Sequence, residues 1–219
     1  MCILSQARFA NTYGMTQKQH VEKYRKLGLR RLLLAEAELI PNSTAYAPFI
    51  GSGDIAAELY GDYRIYGADL DPSRVGIARS RLPEAQIIVA DCDGWPFPTV
   101  REPFALADFD AYANPYTSFL AFWHDALKAE HMALVFTDGM RQTIVRKRQV
   151  FDFGSMSWRS AATATEFRVQ HNNWLTRFVL PWFEETIAPW RMVAHKSYRR
   201  GWMTYWGAVV QRWPPGLVV

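Results

Sequence analysis

The chain has 219 residues, 49% hydrophobic and 15% aromatic, enough to bury one good core and to favour a single embellished domain over two. No run of 18 apolar residues occurs, and Met1–Ala7 is too short for a signal-peptide core and lacks the basic residues that precede one, so the expectation is a soluble cytoplasmic protein with no membrane partner. The formal charge of +4 hides an asymmetry: residues 1–140 carry 13 Lys/Arg against 17 Asp/Glu, a net −4, whereas residues 141–219 carry 12 against 4, a net +8.

The only cysteines, Cys2 and Cys92, stand far apart with no His/Cys ligand spacing, so neither a disulfide framework nor a zinc site is implied and no metal is expected. Thr16 to Ile40 reads as a helix rich in Lys and Arg, stopped by Pro41. Tyr46 to Ile50 is a short buried strand that breaks at Gly51-Ser52-Gly53, and Asp54 to Tyr60 starts a helix. Arg64 to Ala68 is a second strand, after which Asp71 can cap a helix whose first residue is Pro72 and which runs to about Arg81. Gln86 to Ala90 makes a third strand ending at Asp91-Cys92-Asp93, and Phe104 to Ala107 a fourth ending at Asp108-Phe109-Asp110. Thr117 to Glu130 reads as a helix, His131 to Thr137 as a fifth strand, and Ala161 to Ile187 as one long helical segment. Strand and helix thus alternate, which predicts a parallel sheet with helices on both faces. Two extended runs close the chain, Trp190 to Tyr198 and Trp202 to Gln211. Only Arg199-Arg200-Gly201 separates them, which permits a hairpin and forbids a parallel crossover, so one antiparallel strand is expected at the end.

The candidate functional residues gather at the carboxyl ends of strands, where open α/β sheets bind ligands. Gly51 and Gly53 let the backbone approach a ligand closely at the first strand-to-helix turn, and an acid after the second strand suits ribose hydroxyls. Seven of the nine tryptophans lie beyond residue 157, interleaved with Arg146, Lys147, Arg148, Arg159, Arg199 and Arg200. Such a mixture suits stacking and phosphate neutralisation on a nucleic acid; it equally suits core tryptophans beside solvated arginines.

With these residues in order, the stretch from Ala45 to Gln211 resembles the class I S-adenosylmethionine-dependent methyltransferases, a Rossmann-like fold. Pro48-Phe49-Ile50-Gly51-Ser52-Gly53 is similar to the methionine-site loop of nucleic-acid amino-methyltransferases, with Ala47 where those commonly have an acid and either Asp54 or a backbone carbonyl as its substitute. The resemblance implies S-adenosylmethionine as cofactor, bound by Phe49, Gly51, Gly53, Asp69 on the ribose, and Asp91 and Cys92 on the adenine. Asn114-Pro115-Tyr116 is similar to the Asp/Asn-Pro-Pro-aromatic motif of enzymes that methylate exocyclic amines on bases. Asp108 to Ala113, which includes Asp110, together with Phe119-Leu120, and Val135 to Asp138 are similar to segments of the tRNA dimethylguanosine methyltransferases. Both alignments imply an amine acceptor in RNA or DNA, RNA slightly favoured. Asp110 or Asn114 would accept from the amine and Tyr116 stack on an extruded base, while Arg199 and Arg200 meet the nucleic acid. A small-metabolite or protein methyltransferase, or a binding module without catalysis, are the alternatives. His124 reads as packing or hydrogen-bonding locally rather than as a base, and His171 as structural or solvated. The expected organisation is an N-terminal helical extension over 1–44 and a methyltransferase domain over 45–219.

Overall fold

A computed structural model describes residues 17–213; Met1–Ala7, with Cys2, and the predicted helix start at Thr16 lie outside them. The first helix, α1 (Gln17–Glu36), is followed by β1 (Thr44–Pro48), α2 (Asp54–Leu59), β2 (Arg64–Asp69), α3 (Pro72–Arg81), β3 (Gln86–Val89) and β4 (Phe104–Phe109). Then come α4 (Tyr116–Asp125), β5 (Lys128–Asp138), α5 (Met140–Lys147) and a small hairpin of β6 (Gln149–Asp152) and β7 (Ser157–Ser160). The chain continues through α6 (Ala164–Asn172), a π-helical turn over Trp174–Val179, α7 (Leu180–Ile187), β8 (Trp190–Arg200) and β9 (Met203–Arg212).

Seven strands form one sheet in the order β3-β2-β1-β4-β5-β9-β8. All neighbours pair in parallel except β9, which runs antiparallel to both β5 and β8, so the expected architecture stands. The two sheet faces are covered separately. On one, Leu29 and Leu33 of α1, Ala56 of α2 and Val75 and Ala78 of α3 pack on Ala45, Ile65, Leu106, Val135 and Val209. On the other, Phe119 and Phe122 of α4, Trp174, and Phe183 and Ile187 of α7 pack on Tyr46, Phe109, Phe136 and Trp206. Phe109, Phe136 and Trp206 stack across three adjacent strands, with ring centroids 5.2 and 4.2 Å apart.

Several boundaries differ from the sequence expectation, each for a local reason. Helix α3 starts where expected: Asp71 accepts from the N–H groups of Ser73 and Arg74 at 2.9 and 3.4 Å, and Pro72 follows as the first helical residue. The helix expected to reach Glu130 stops at Asp125 because Ala126 turns extended, and β5 takes up Lys128 to Glu130. The long segment expected from Ala161 to Ile187 is broken into α6, the π turn and α7. Thr163 caps α6 by accepting from Glu166 N at 3.0 Å, and Pro181, at the start of α7, has no N–H to continue the helical ladder. Arg199 and Arg200 are the last residues of β8 rather than turn residues, opposite Thr204 and Met203; the turn is Gly201-Trp202, with Gly201 at φ +56°. The helix α5 and the β6–β7 hairpin carry too few residues to show a period in the sequence. Most of the late tryptophans serve packing: Trp174 and Trp206 are buried, Trp158, Trp182, Trp190 and Trp213 half-buried, and Trp202 exposed. Among the described residues no helix is long and apolar enough to cross a membrane.

Candidate functional site

The chain leaves β1 toward β2 and β3 on one side and returns to β4 on the other, so the crevice between the carboxyl ends of β1 and β4 is the topological switch point. The loop there is strained. Phe49, Gly51 and Gly53 all have left-handed backbones, at φ +59°, +56° and +76°. For Phe49, which has a Cβ, this is an uncommon conformation held in place by its surroundings. Ile50 N donates to Ala68 O at 3.0 Å and Gly53 N to Ile50 O at 3.0 Å. Gly67 lets the loop cross β2, since a Cβ there would lie 2.6 Å from Ile50 Cδ1; a Cβ at Gly53 would lie 3.3 Å from Ala78. By contrast, a Cβ at Gly51 would meet nothing closer than the Phe49 carbonyl oxygen at 4.0 Å, so among the described residues its outer side is open.

Asp69, at the end of β2, faces this opening. Its Oδ2 accepts from Gly51 N and its Oδ1 from Asp71 N, both at 2.9 Å. A carboxylate offers about four acceptor positions, so two remain for ligand hydroxyls. Val89 stands in register with Asp69 on β3, and Val89 and Leu70 are 49% and 66% exposed, an apolar surface beside the acid. Asp91 is exposed and accepts from Asp93 N at 2.9 Å. Cys92 is buried, and that burial pushes its thiol up to about 11, which keeps it protonated at neutral pH. Ala47 is buried in β1. Asp54 is already engaged, accepting from Arg81 at 2.7 Å and from Ser52 Oγ at 2.6 Å.

At the end of β4 two acids meet α1. Lys26 and Arg30, one helical turn apart, lie on its buried face. Arg30 holds Asp108 through two bonds of 2.7 Å, and Tyr60 Oη donates to the same carboxylate at 2.7 Å. Burial alone would lower the Arg30 guanidinium, but Asp108 and Asp110 outweigh it and hold it above its usual value. Lys26 Nζ binds Asp110 at 2.7 and 3.1 Å, and Arg30 lies 3.6 Å away. Burial raises Asp110, but these two cations prevail and keep it below the usual carboxylate range. One-fifth of the Asp110 side chain stays open. Next to it the Tyr112 ring, 73% exposed, lies 5.0 Å from Lys26 Nζ.

Asn114 shapes the following loop: its Oδ1 accepts from Tyr116 N at 2.9 Å and its Nδ2 donates to Thr117 Oγ1 at 3.1 Å, with Pro115 leading into α4. Tyr116 is fully buried with its ring against Phe153 and Trp182, leaving no face on which a base could stack. Its hydroxyl donates to Asp138 Oδ2 at 2.5 Å, where Trp174 Nε1 also donates, while Met140 N donates to Oδ1 at 2.7 Å. Burial pushes the Asp138 carboxyl up to about 6 against these donors. Gly139 brings the loops after β4 and β5 together, its N–H donating to Ala113 O at 3.0 Å. Arg199 and Arg200 reach the same end of the sheet, because Arg199 pairs with Thr204 and Thr204 with Asp138. His124 is exposed at the end of α4, and His171 packs with Phe167 and Arg141, as its structural reading anticipated.

The structure therefore brings Phe49, Gly51, Gly53 and Asp69 together in the loops that follow β1 and β2, with Gly51 on the open side. Asp91 and Cys92 follow the strand beside it, and Asp110 and Asn114 follow β4. Sequence reasoning missed Lys26 and Arg30, whose spacing of four on a helix otherwise packed through leucines was the available signal, and missed the exposed Leu70 and Val89.

No protein-family model matches the chain, and no curated protein matches it in sequence. Solved structures do match in fold. N-methyltransferase NodS from Bradyrhizobium japonicum WM9, in complex with S-adenosyl-L-homocysteine, is similar with a TM-score of 0.55 and 14% identity over 87% of each chain. Magnesium protoporphyrin IX methyltransferase from Synechocystis PCC 6803, with the same product bound, gives 0.56 and 10% over 91% of this chain and 89% of that one. TrmN from Thermus thermophilus gives 0.50 and 16% over 88% of this chain and 53% of its own. The chain has the fold of the S-adenosylmethionine-dependent methyltransferases.

Proposed function

We propose that the chain is an S-adenosylmethionine-dependent methyltransferase whose acceptor is an exocyclic amine of a nucleic-acid base, RNA ahead of DNA. The observation that carries the cofactor is the strained turn at the switch point, which leaves Gly51 open beside an Asp69 with spare acceptor positions. Bound there, the cofactor supplies an electrophilic methyl group on sulfur. Asp69 would take its ribose hydroxyls, Leu70 and Val89 would flank its flat ring, and Asp91, next to the buried Cys92, would stand beside that ring.

An exocyclic base nitrogen is a poor nucleophile because its lone pair is delocalised into the ring. Asp110, kept ionised by Lys26 and Arg30 and still partly open, accepts from that amine and favours a tetrahedral nitrogen. Asn114 and Pro115 set the path of the loop that brings the acceptor in, and buried Tyr116 fixes the start of α4 beneath it. Alignment of the two reacting centres does most of the work. Exposed Arg146, Lys147, Arg148 and Arg199, with Arg200 and Trp202, form the surface for a polyanion. A small-molecule acceptor is the second reading, favoured by the likeness to the magnesium protoporphyrin IX methyltransferase over nearly the whole chain. The test is transfer of an isotope-labelled methyl group to RNA, DNA and a panel of amines, read by mass spectrometry. Label on a base nitrogen supports the first reading; label confined to small amines selects the second.

A further inference from the structure

Between α1 and the edge strand β8 runs a groove of about 570 Å³, lined by Arg25, Gly28, Leu29 and Leu32 on one wall and by His195 to Arg199 on the other. No carboxylate is among these lining residues, and Arg25 and Arg199 have no ion-pair partner among the described residues; the Lys196 ammonium has Glu36 at 3.9 Å. A mid-helix glycine is about 1 kcal/mol worse than alanine, yet a Cβ at Gly28 would meet nothing within 4 Å among the described residues, so packing does not explain it. Tyr24, Gly28 and Leu32 lie on one helical stripe, and Tyr24 and Leu32 are 69% and 58% exposed. The stripe thus has an aromatic end, a bare backbone floor and an apolar end, bordered by cations. Arg199 stands at the same end of the sheet as the candidate site, since it pairs with Thr204 and Thr204 with Asp138.

We propose that this groove is a docking track for a single-stranded nucleic acid whose phosphates meet Arg25, Lys196 and Arg199 and whose bases lie on the Tyr24–Gly28–Leu32 stripe, leading the target base to Asp110. The proposal rests on the nucleic-acid reading above. Cation-lined grooves with stacking surfaces suit single strands. The binding of a labelled 20-nucleotide oligouridine to the full chain, followed by fluorescence anisotropy across salt concentrations, tests it. Three phosphate contacts on a single strand give a salt slope of roughly 2 in log K against log salt. The triple variant R25A/K196A/R199A should lose about that much slope and roughly 10-fold or more in affinity at low salt. Gly28→Gln, a helix-favouring change that fills the floor, should weaken binding with the slope retained. Calorimetry with S-adenosylmethionine on the same variants should give unchanged affinity, which shows that they are folded. If the wild type binds oligouridine and the triple variant keeps its slope, the track is overturned while the nucleic-acid reading survives. If the wild type binds no nucleic acid, that reading fails and the track with it. Tighter binding of a duplex of equal length, or an equal loss of affinity for polyglutamate, would also overturn the proposal.

Discussion

Asp69 supports its loop and faces the proposed ligand with the same carboxylate, so its removal should be felt in both. Asp69→Ala is expected to cost roughly 2–4 kcal/mol of S-adenosylmethionine affinity in calorimetry, since charge-assisted hydrogen bonds are the strong ones; unchanged affinity would sink the assignment. Asp110→Ala and Asn114→Ala should each slow methyl transfer at least ~100-fold, about 3 kcal/mol, with cofactor affinity retained. Single-turnover rates separate their roles: loss only at Asn114 would make Asp110 a support, and loss only at Asp110 would make Asn114 a loop cap alone. Asp138 gives a pH signal of its own. Its folded carboxyl titrates at about 6, above the ordinary aspartate value, so the folded state binds a proton that the unfolded chain releases. Stability from this group is therefore lowest above pH 6 and grows as pH falls from 6 toward 4, by up to about 3 kcal/mol. Asp110 is held low, so its contribution is lost only below the ordinary aspartate range, outside that window. The melting temperature of the wild type should thus gain on that of Asp138→Asn as pH drops from 7 to 5, and a constant difference would show that Asp138 is not protonated there. At this scale Gly51, Gly53 and Asp69 were legible because their geometry is local: a turn and a strand end a few residues apart. The Lys26–Asp110 pair was not, because it joins residues 84 positions apart and no local pattern encodes it. The burial of Tyr116 was hidden likewise, since Trp182 and Phe153 arrive from later in the chain.

Helix α1 shows how an element earns its place by what it neutralises. Its Arg30 is the counterion of a buried Asp108, with Tyr60 of the α2 end as third member. Removing one partner of such a pair leaves a buried charge uncompensated, a loss of about 3–5 kcal/mol. Deleting one neutral donor loses about 1–2. Denaturant unfolding of Arg30→Met should therefore show the larger loss and Tyr60→Phe the smaller; comparable losses would mean that Asp108 is compensated some other way. The seat of α1 also depends on β9, because a Cβ at Gly207 would collide with Leu33 Cδ1 and lie 2.6 Å from Leu134 O. The strands of the sheet and α3 were readable because apolar runs, Asp71-Pro72 and the paired glycines are short-range signals. The break between α6 and α7 was not, since the helical period continues through the π turn and only Pro181 marks the change.

At the scale of the whole molecule, the order of strands in space departs from their order in the chain twice, at the switch point between β1 and β4 and again at β9. Among the seven strands of the sheet β9 is the last in sequence, yet it stands between β5 and β8 and contributes buried Tyr205, Trp206, Ala208, Val209 and Val210 to both faces. Chain order thereby becomes a matter of timing during synthesis. A ribosome delivers β5, with its apolar Met132 to Phe136, well before the strand that covers its edge, and β8 has no sheet to join until β9 arrives. Unpaired apolar edges invite pairing with other chains. A nascent chain arrested after Arg200 should accordingly be cut rapidly by protease and bind holdase chaperones, while one extended past Arg212 and clear of the exit tunnel should be resistant. Equal resistance at the two lengths would mean that the first five strands hold without their partner. The antiparallel strand is therefore a checkpoint on translation: the loop beside Asp69 can form early, but the sheet that carries it closes only when nearly all of the described chain has left the ribosome.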